Sequence, residues 1–176
     1  MLTGQHAVVC YIAGELAEFV SGLRRELAPR QGHLRTHITL LPPRLLQLNE
    51  SEALAHAKEA CRATAPFTIT AGGVQDFLPI NPVLYLDIER GAKQLCQLHD
   101  ALHHGPLHVP EPWPFVPHLT LASLTSPGQT RSSQELVKRR WKAYRGPRAF
   151  TVSELELVRE EPGERWADLG SICLAG

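Results

Sequence analysis

Two short stretches of the chain carry one pattern: His37-Ile38-Thr39-Leu40 and, 81 residues later, His118-Leu119-Thr120-Leu121. An imidazole two positions from a hydroxyl acquires chemical meaning in extended backbone, where side chains alternate between faces. His37 and Thr39 then share one face and Ile38 and Leu40 the other; His118 and Thr120 do the same against Leu119 and Leu121. If two such strands pack together, two imidazoles and two hydroxyls meet in one cleft.

That set of groups suits a phosphodiester. One neutral histidine can take a proton from an attacking hydroxyl or water, and the other, as imidazolium, can protonate the leaving oxygen. The threonine hydroxyls can donate to non-bridging phosphate oxygens, where charge grows in the transition state. The scheme needs neither a metal nor an organic cofactor. A single histidine beside a strand is usually structural, but two copies of the tetrad among nine histidines arise by chance in only about one or two sequences in a hundred.

The elements that must position these residues follow from hydrophobic periodicity. The apolar run from His6 to Gly14 predicts a buried strand. Leu16, Phe19, Val20, Leu23 and Leu27 then fall at helical spacing, and Pro29 ends that helix. After the first motif strand, Asn49 and Glu52 have capping-box spacing and open a helix to about Ala65. Strands over "FTITAGGV" and "PVLYLDIE" come next, then a helix ended by Gly105 and Pro106. A proline-rich loop feeds the second motif strand. A capping box at Ser132 and Glu135 predicts the fourth helix, and "AFTVSELELV" and "WADLGSICLA" predict closing strands, the first with a β-bulge near Ser153 or Glu154.

The order βαβαββαβαββ, a strand-helix-motif series met twice, predicts an α+β protein with 1–176 as a single bilobal domain. The formal net charge is zero, which speaks against a surface given over wholly to nucleic acid or membrane. No apolar run approaches the ~20 residues of a membrane-spanning helix, and residues 1–15 lack a signal peptide's basic start. Cys10, Cys61, Cys96 and Cys173 form no CxxC pair and sit in apolar-patterned segments, so they are expected to be free and buried. A cytoplasmic monomer is the expectation.

"THITLLPPR" and "FVPHLTLAS" resemble the two signature segments of the 2H phosphoesterases, the superfamily of the 2′-5′ RNA ligase-like proteins and cyclic phosphodiesterases. The resemblance includes the proline before the second histidine. It implies two antiparallel β-sheets flanked by helices, pseudo-twofold related, with the motifs facing each other across one central cleft. It also implies that His37 and His118 are the acid/base pair and that Thr39 and Thr120 hold phosphate. The partners expected are nucleotides or RNA ends carrying a 2′,3′-cyclic phosphate or a 2′-5′ linkage, hydrolysed or reversibly ligated. The alternative is a binding module that holds such ends in the same cleft without turnover. One departure stands out: many 2′-5′ RNA ligase-like members carry a basic residue shortly after the second motif, where this chain continues to Ser123. Arg44, just past the first motif, is the candidate to supply a cation to the groove.

Other features weigh less. The stretch from Arg131 to Arg148 is strongly basic and can be an RNA contact, or a solvated face balanced by the acids from Glu154 to Glu164. His99 and His103 stand at a metal-binding i, i+4 spacing, but no carboxylate or cysteine is arranged to complete a site, so they are expected at the surface. Metal-dependent hydrolysis through them would require chelator sensitivity. Phe77, Trp113 and Phe115 can stack on a base or pack the core equally well.

Overall fold

A computed structural model describes residues 4–176; the first three residues of the leading segment lie outside that range. The strands are β1 (His6–Tyr11), β2 (His37–Arg44), β3 (Phe67–Phe77), β4 (Asn81–Arg90), β5 (His118–Ser123), β6 (Ala149–Val152), β7 (Glu154–Glu161) and β8 (Arg165–Cys173). The helices are α1 (Glu15–Leu27), α2 (Glu50–Cys61), α3 (Ala92–Leu102) and α4 (Pro127–Ala143).

The strands form one eight-stranded antiparallel sheet in the order β6-β3-β4-β5-β2-β1-β7-β8, where two sheets were expected. The two motif strands are the join, and the join is thin: β2 and β5 are matched only at Ile38 and Leu119. Strand patterning cannot foretell whether a ladder continues across such a seam, because the alternation is the same on either side of it.

The stretch near Ser153 also differs from expectation. Its change of parity is a change of partner rather than a bulge. β6 pairs with β3 at one end of the sheet, whereas β7 lies between β1 and β8 near the other end. Only Ser153 separates them, so the sheet curls until its far ends meet there. The Ser153 carbonyl accepts from the Leu174 amide at 2.9 Å, which ties the closure.

The helices cover the sheet with narrow apolar stripes. α1 buries Leu16, Val20, Leu23 and, unexpectedly, Arg24; it packs on β5. α2 buries Ala53, Ala57 and Cys61 against β8 and α3, and its Asn49–Glu52 capping box forms in both directions. α4 packs on β3 and β4 through Val137 and Trp141. It starts at Pro127, earlier than Ser132, because Ser126 caps it by accepting from the Gln129 amide and proline fits the first helical position. No helix among the described residues is long and apolar enough to cross a membrane.

All four cysteines are free, but only Cys10 and Cys61 are buried; Cys96 is partly covered and Cys173 is exposed. The terminal strand's alternation turns Cys173 outward while Ile172 fills the core.

Candidate functional site: two pinned imidazoles on neighbouring strands

Ile38 and Leu119 are almost fully buried, at 0% and 1% exposure, and face each other across the β2–β5 seam. Continuing their register one residue each way sets His37 opposite Thr120 and Thr39 opposite His118. Directly opposed residues in an antiparallel pair share a face. All four motif side chains therefore stand together on the face opposite the Ile38–Leu119 core, partly buried rather than sealed.

Both histidines are held in one manner. His37 Nδ1 lies 2.7 Å from the Arg35 carbonyl and His118 Nδ1 lies 2.7 Å from the Val116 carbonyl. A carbonyl only accepts, so each Nδ1 carries the proton and each Nε2 presents a lone pair. Aromatic rings brace the imidazoles. Tyr11, opposite His37 in the β1–β2 register, meets it edge-on at 6.4 Å, and Trp166 lies 4.6 Å away. Tyr85, opposite Thr120, stands 5.3 Å from His118, with Phe77 at 4.9 Å and stacked on Tyr85. Phe77 is thus the last residue of β3 and lies against a motif histidine.

Burial pulls the His37 imidazole down to about 4, with a lesser push from the positive charges of Arg24 and Arg35 and from His118. Burial lowers His118 as well, opposed by its bond to the Val116 carbonyl. Both rings are accordingly neutral at pH 7.

Two cations near the cleft had no place in the sequence reading. Arg24 is 2% exposed and donates to the Leu34 carbonyl at 3.0 Å and to the Thr120 carbonyl at 2.7 Å. Among the described residues no carboxylate pairs with it, so it is a buried positive charge bonded to the second motif itself. Its signal was available: Arg24 interrupts the apolar stripe between Val20 and Leu27. Arg35 lies 3.5 Å over the Tyr11 ring and bonds Asp168 at 3.1 Å. Tyr11 donates to the same carboxylate at 2.7 Å. Those partners come from residues far apart in sequence, which leaves no local pattern.

Arg44 is not a cation of the groove. It is 5% exposed and spends its donors on the Pro42 and Leu107 carbonyls and on Glu111. In the β1–β2 register Arg44 stands opposite His6, and Ile38 opposite Cys10, so both lie on the face turned away from the cleft. His99 likewise departs from the surface role expected of it: it is 4% exposed, and Glu111 comes to it from the proline-rich loop. Phe115 stacks on His99 at 4.2 Å, whereas Trp113 is 60% exposed. On the basic helix, Arg140 pairs with Glu26 and Lys138 with Glu135, rather than with the acids after residue 154.

A curled antiparallel sheet with two histidines at its seam defines a class of α+β proteins, and sequence comparison agrees. Residues 13–164 match the 2'-5' RNA ligase superfamily, and the chain belongs to that family. It is 30% identical over 120 residues to a Bacillus cytotoxicus protein described as a candidate phosphoesterase, covering 68% of this chain and 69% of that one. A Bacillus mycoides protein of the same description is 30% identical over 115 residues, covering 65% of this chain and 66% of that one. The matched stretch thus spans about two thirds of each relative. Among solved structures, Escherichia coli LigT complexed with 3'-AMP superposes with a TM-score of 0.69 at 18% identity, over 98% of this chain and 99% of that one. A Thermus thermophilus protein gives 0.69 at 20% identity, over 98% of each. Identities this low bear on the fold alone.

Proposed function

We propose that the chain is a metal-independent phosphoesterase acting on 2′,3′-cyclic phosphate or 2′-5′ linked nucleotide substrates, with His37 and His118 as the acid/base pair and Thr39 and Thr120 as phosphate holders. The observation that carries this reading is the matched pinning of the two imidazoles, each with Nδ1 spent on a backbone carbonyl and Nε2 left for proton transfer. Membership of the superfamily, relatives described as candidate phosphoesterases, and the nucleotide bound by LigT all support it.

The roles divide by charge. Arg24 helps to hold His37 neutral, which suits a base. His37 Nε2 takes a proton from water as its oxygen attacks phosphorus. The bond to the 2′ or 3′ oxygen breaks, and that oxygen takes a proton from His118 Nε2. His118 must therefore be charged when substrate is bound, and the entering phosphate provides the reason: an anion beside an imidazole raises its proton affinity. Thr39 and Thr120 donate to the non-bridging oxygens, above the buried charge of Arg24.

The test is hydrolysis of a nucleoside 2′,3′-cyclic phosphate from about pH 3 to about pH 9 in EDTA, a window that takes in the acidic limb set by His37. A bell-shaped profile is expected, with turnover lost in both His37→Ala and His118→Ala while each variant stays folded. Full turnover in either folded variant refutes the roles. No hydrolysis of cyclic or 2′-5′ linked substrates, with nucleotide binding retained, would indicate a binding module instead.

A further inference from the structure

A second cluster of ligand atoms lies behind the first motif strand and takes no part in this chemistry. His99 and His103 are one turn apart at the end of α3, and Glu111 reaches them from the proline-rich loop before β5. One ring nitrogen of each histidine and one carboxylate oxygen lie within 4.8 Å of one another.

The hydrogen bonds around the cluster leave a gap of definite chemistry. His99 Nδ1 lies 2.8 Å from the Leu40 carbonyl and must donate to it; His103 Nε2 lies 2.7 Å from the Val109 carbonyl, so that ring ligates through Nδ1 or gives up this bond to the ion. The other ring nitrogen of His99, Nε2, faces Glu111 Oε2 at 3.6 Å. A ring nitrogen and a carboxylate oxygen face each other in a nearly dry site, an arrangement completed by a positive species between them, a proton or a metal ion. Arg44 does not fill the gap, because it holds the other carboxylate oxygen, Oε1. That bond fixes the carboxylate and leaves Oε2 available, which is how ligating carboxylates and histidines are commonly oriented.

We infer that His99, His103 and Glu111 form a binding site for a zinc-type divalent transition cation, with Arg44 and the Leu40 carbonyl orienting two of its ligands. Two imidazoles and a carboxylate suit zinc or cobalt better than the all-oxygen preference of calcium or magnesium. Ligands about 2.1 Å from a tetrahedral ion stand roughly 3.4 Å apart, so the trio closes by about 1 Å on binding. The ion ties α3 and the end of β2 to the proline-rich loop. That loop runs on through Phe115, stacked on His99, to Val116, whose carbonyl pins His118. The bound cation stiffens the segment that orients a cleft histidine while touching no reacting atom.

Protein stripped with EDTA and dialysed is titrated with cobalt(II) chloride at neutral pH, in a Cys173→Ser background so that the exposed thiol does not compete. One equivalent should bind, with the visible absorption of tetrahedral or five-coordinate cobalt. At a hundredfold excess over Kd the melting temperature should rise by about 5–10 °C. His103→Ala, at a partly exposed position, and Glu111→Gln, which can still bond Arg44, should each abolish the absorption and the thermal shift. Failure to bind cobalt at about 100 μM, or binding that persists in both variants, overturns the inference; a lone proton in the gap would give the first result. Hydrolysis in EDTA reports on the cleft separately, so the site and the catalytic reading can fail independently.

Discussion

A neutral, desolvated His37 makes the fold sensitive to acid, and the size of the effect can be worked out. In the unfolded chain a histidine titrates near its ordinary 6.5, whereas in the cleft His37 is held to about 4. The unfolded state therefore binds the proton first, so the stability linked to His37 is fully present above pH 6.5 and is lost as pH falls from there toward 4. Linkage over that interval gives a loss of about 2 kcal/mol between pH 7 and pH 5, approaching about 3 kcal/mol once the folded group protonates. For a chain of this size, 2 kcal/mol corresponds to roughly 4–8 °C in melting temperature. The perturbation is His37→Gln, which removes the titrating group; His118 and the other histidines remain in both proteins and largely cancel in the comparison. Urea unfolding of the wild type and the variant at pH 7, 6 and 5 is the assay. The wild type should lose about 2 kcal/mol more than His37→Gln over that range. Parallel pH dependences would refute the argument, because they would mean that His37 protonates in the fold as readily as in the unfolded chain.

Thr120→Val should lower kcat by about 10²-fold with little change in stability, measured as cyclic phosphate hydrolysis beside urea unfolding, because it removes one donor to the developing oxyanion and little volume. Arg24→Met should cost about 2–4 kcal/mol in urea unfolding, since two buried carbonyls lose their donor. It should also move the acidic limb of the kcat/KM profile to higher pH, and Arg24→Lys should restore much of that limb, whereas a purely structural role predicts no movement of the limb. Leu40→Ala should cost about 2–5 kcal/mol in the same unfolding assay as a fully buried leucine becomes a cavity.

The sequence made legible whatever repeats at short range. The period-two alternation through both motifs placed all four motif side chains on one face, and the Asn49–Glu52 spacing specified a cap that forms. What it concealed were facts of long-range pairing. Ser153 looks like the site of a bulge because a change of parity reads the same whether the strand kinks or leaves for another partner. Arg44 was misplaced because "PPR" suggests an exposed turn, whereas the strand runs on and carries its guanidinium to Leu107 and Glu111. His99 was read as a surface residue because its carboxylate neighbour comes from the next loop. Arg24 was legible in principle, as a charge inside an apolar stripe, but a stripe alone does not reveal that the Thr120 carbonyl waits beneath it.

The path through Ser153 bears on how the molecule comes into being. β1 is synthesised well before β7, yet one of its two edges pairs with β7, so that His6 waits for Arg159. The far edge of β3 waits in the same way for β6. Until the strands from Ala149 to Cys173 emerge, both halves of the sheet have an unpaired edge, and the Trp166 ring that braces His37 has not been made. Pairings of such sequence separation slow folding and leave strand edges open to wrong partners in the meantime. On the ribosome, His37 is translated well before the Trp166 ring that braces it.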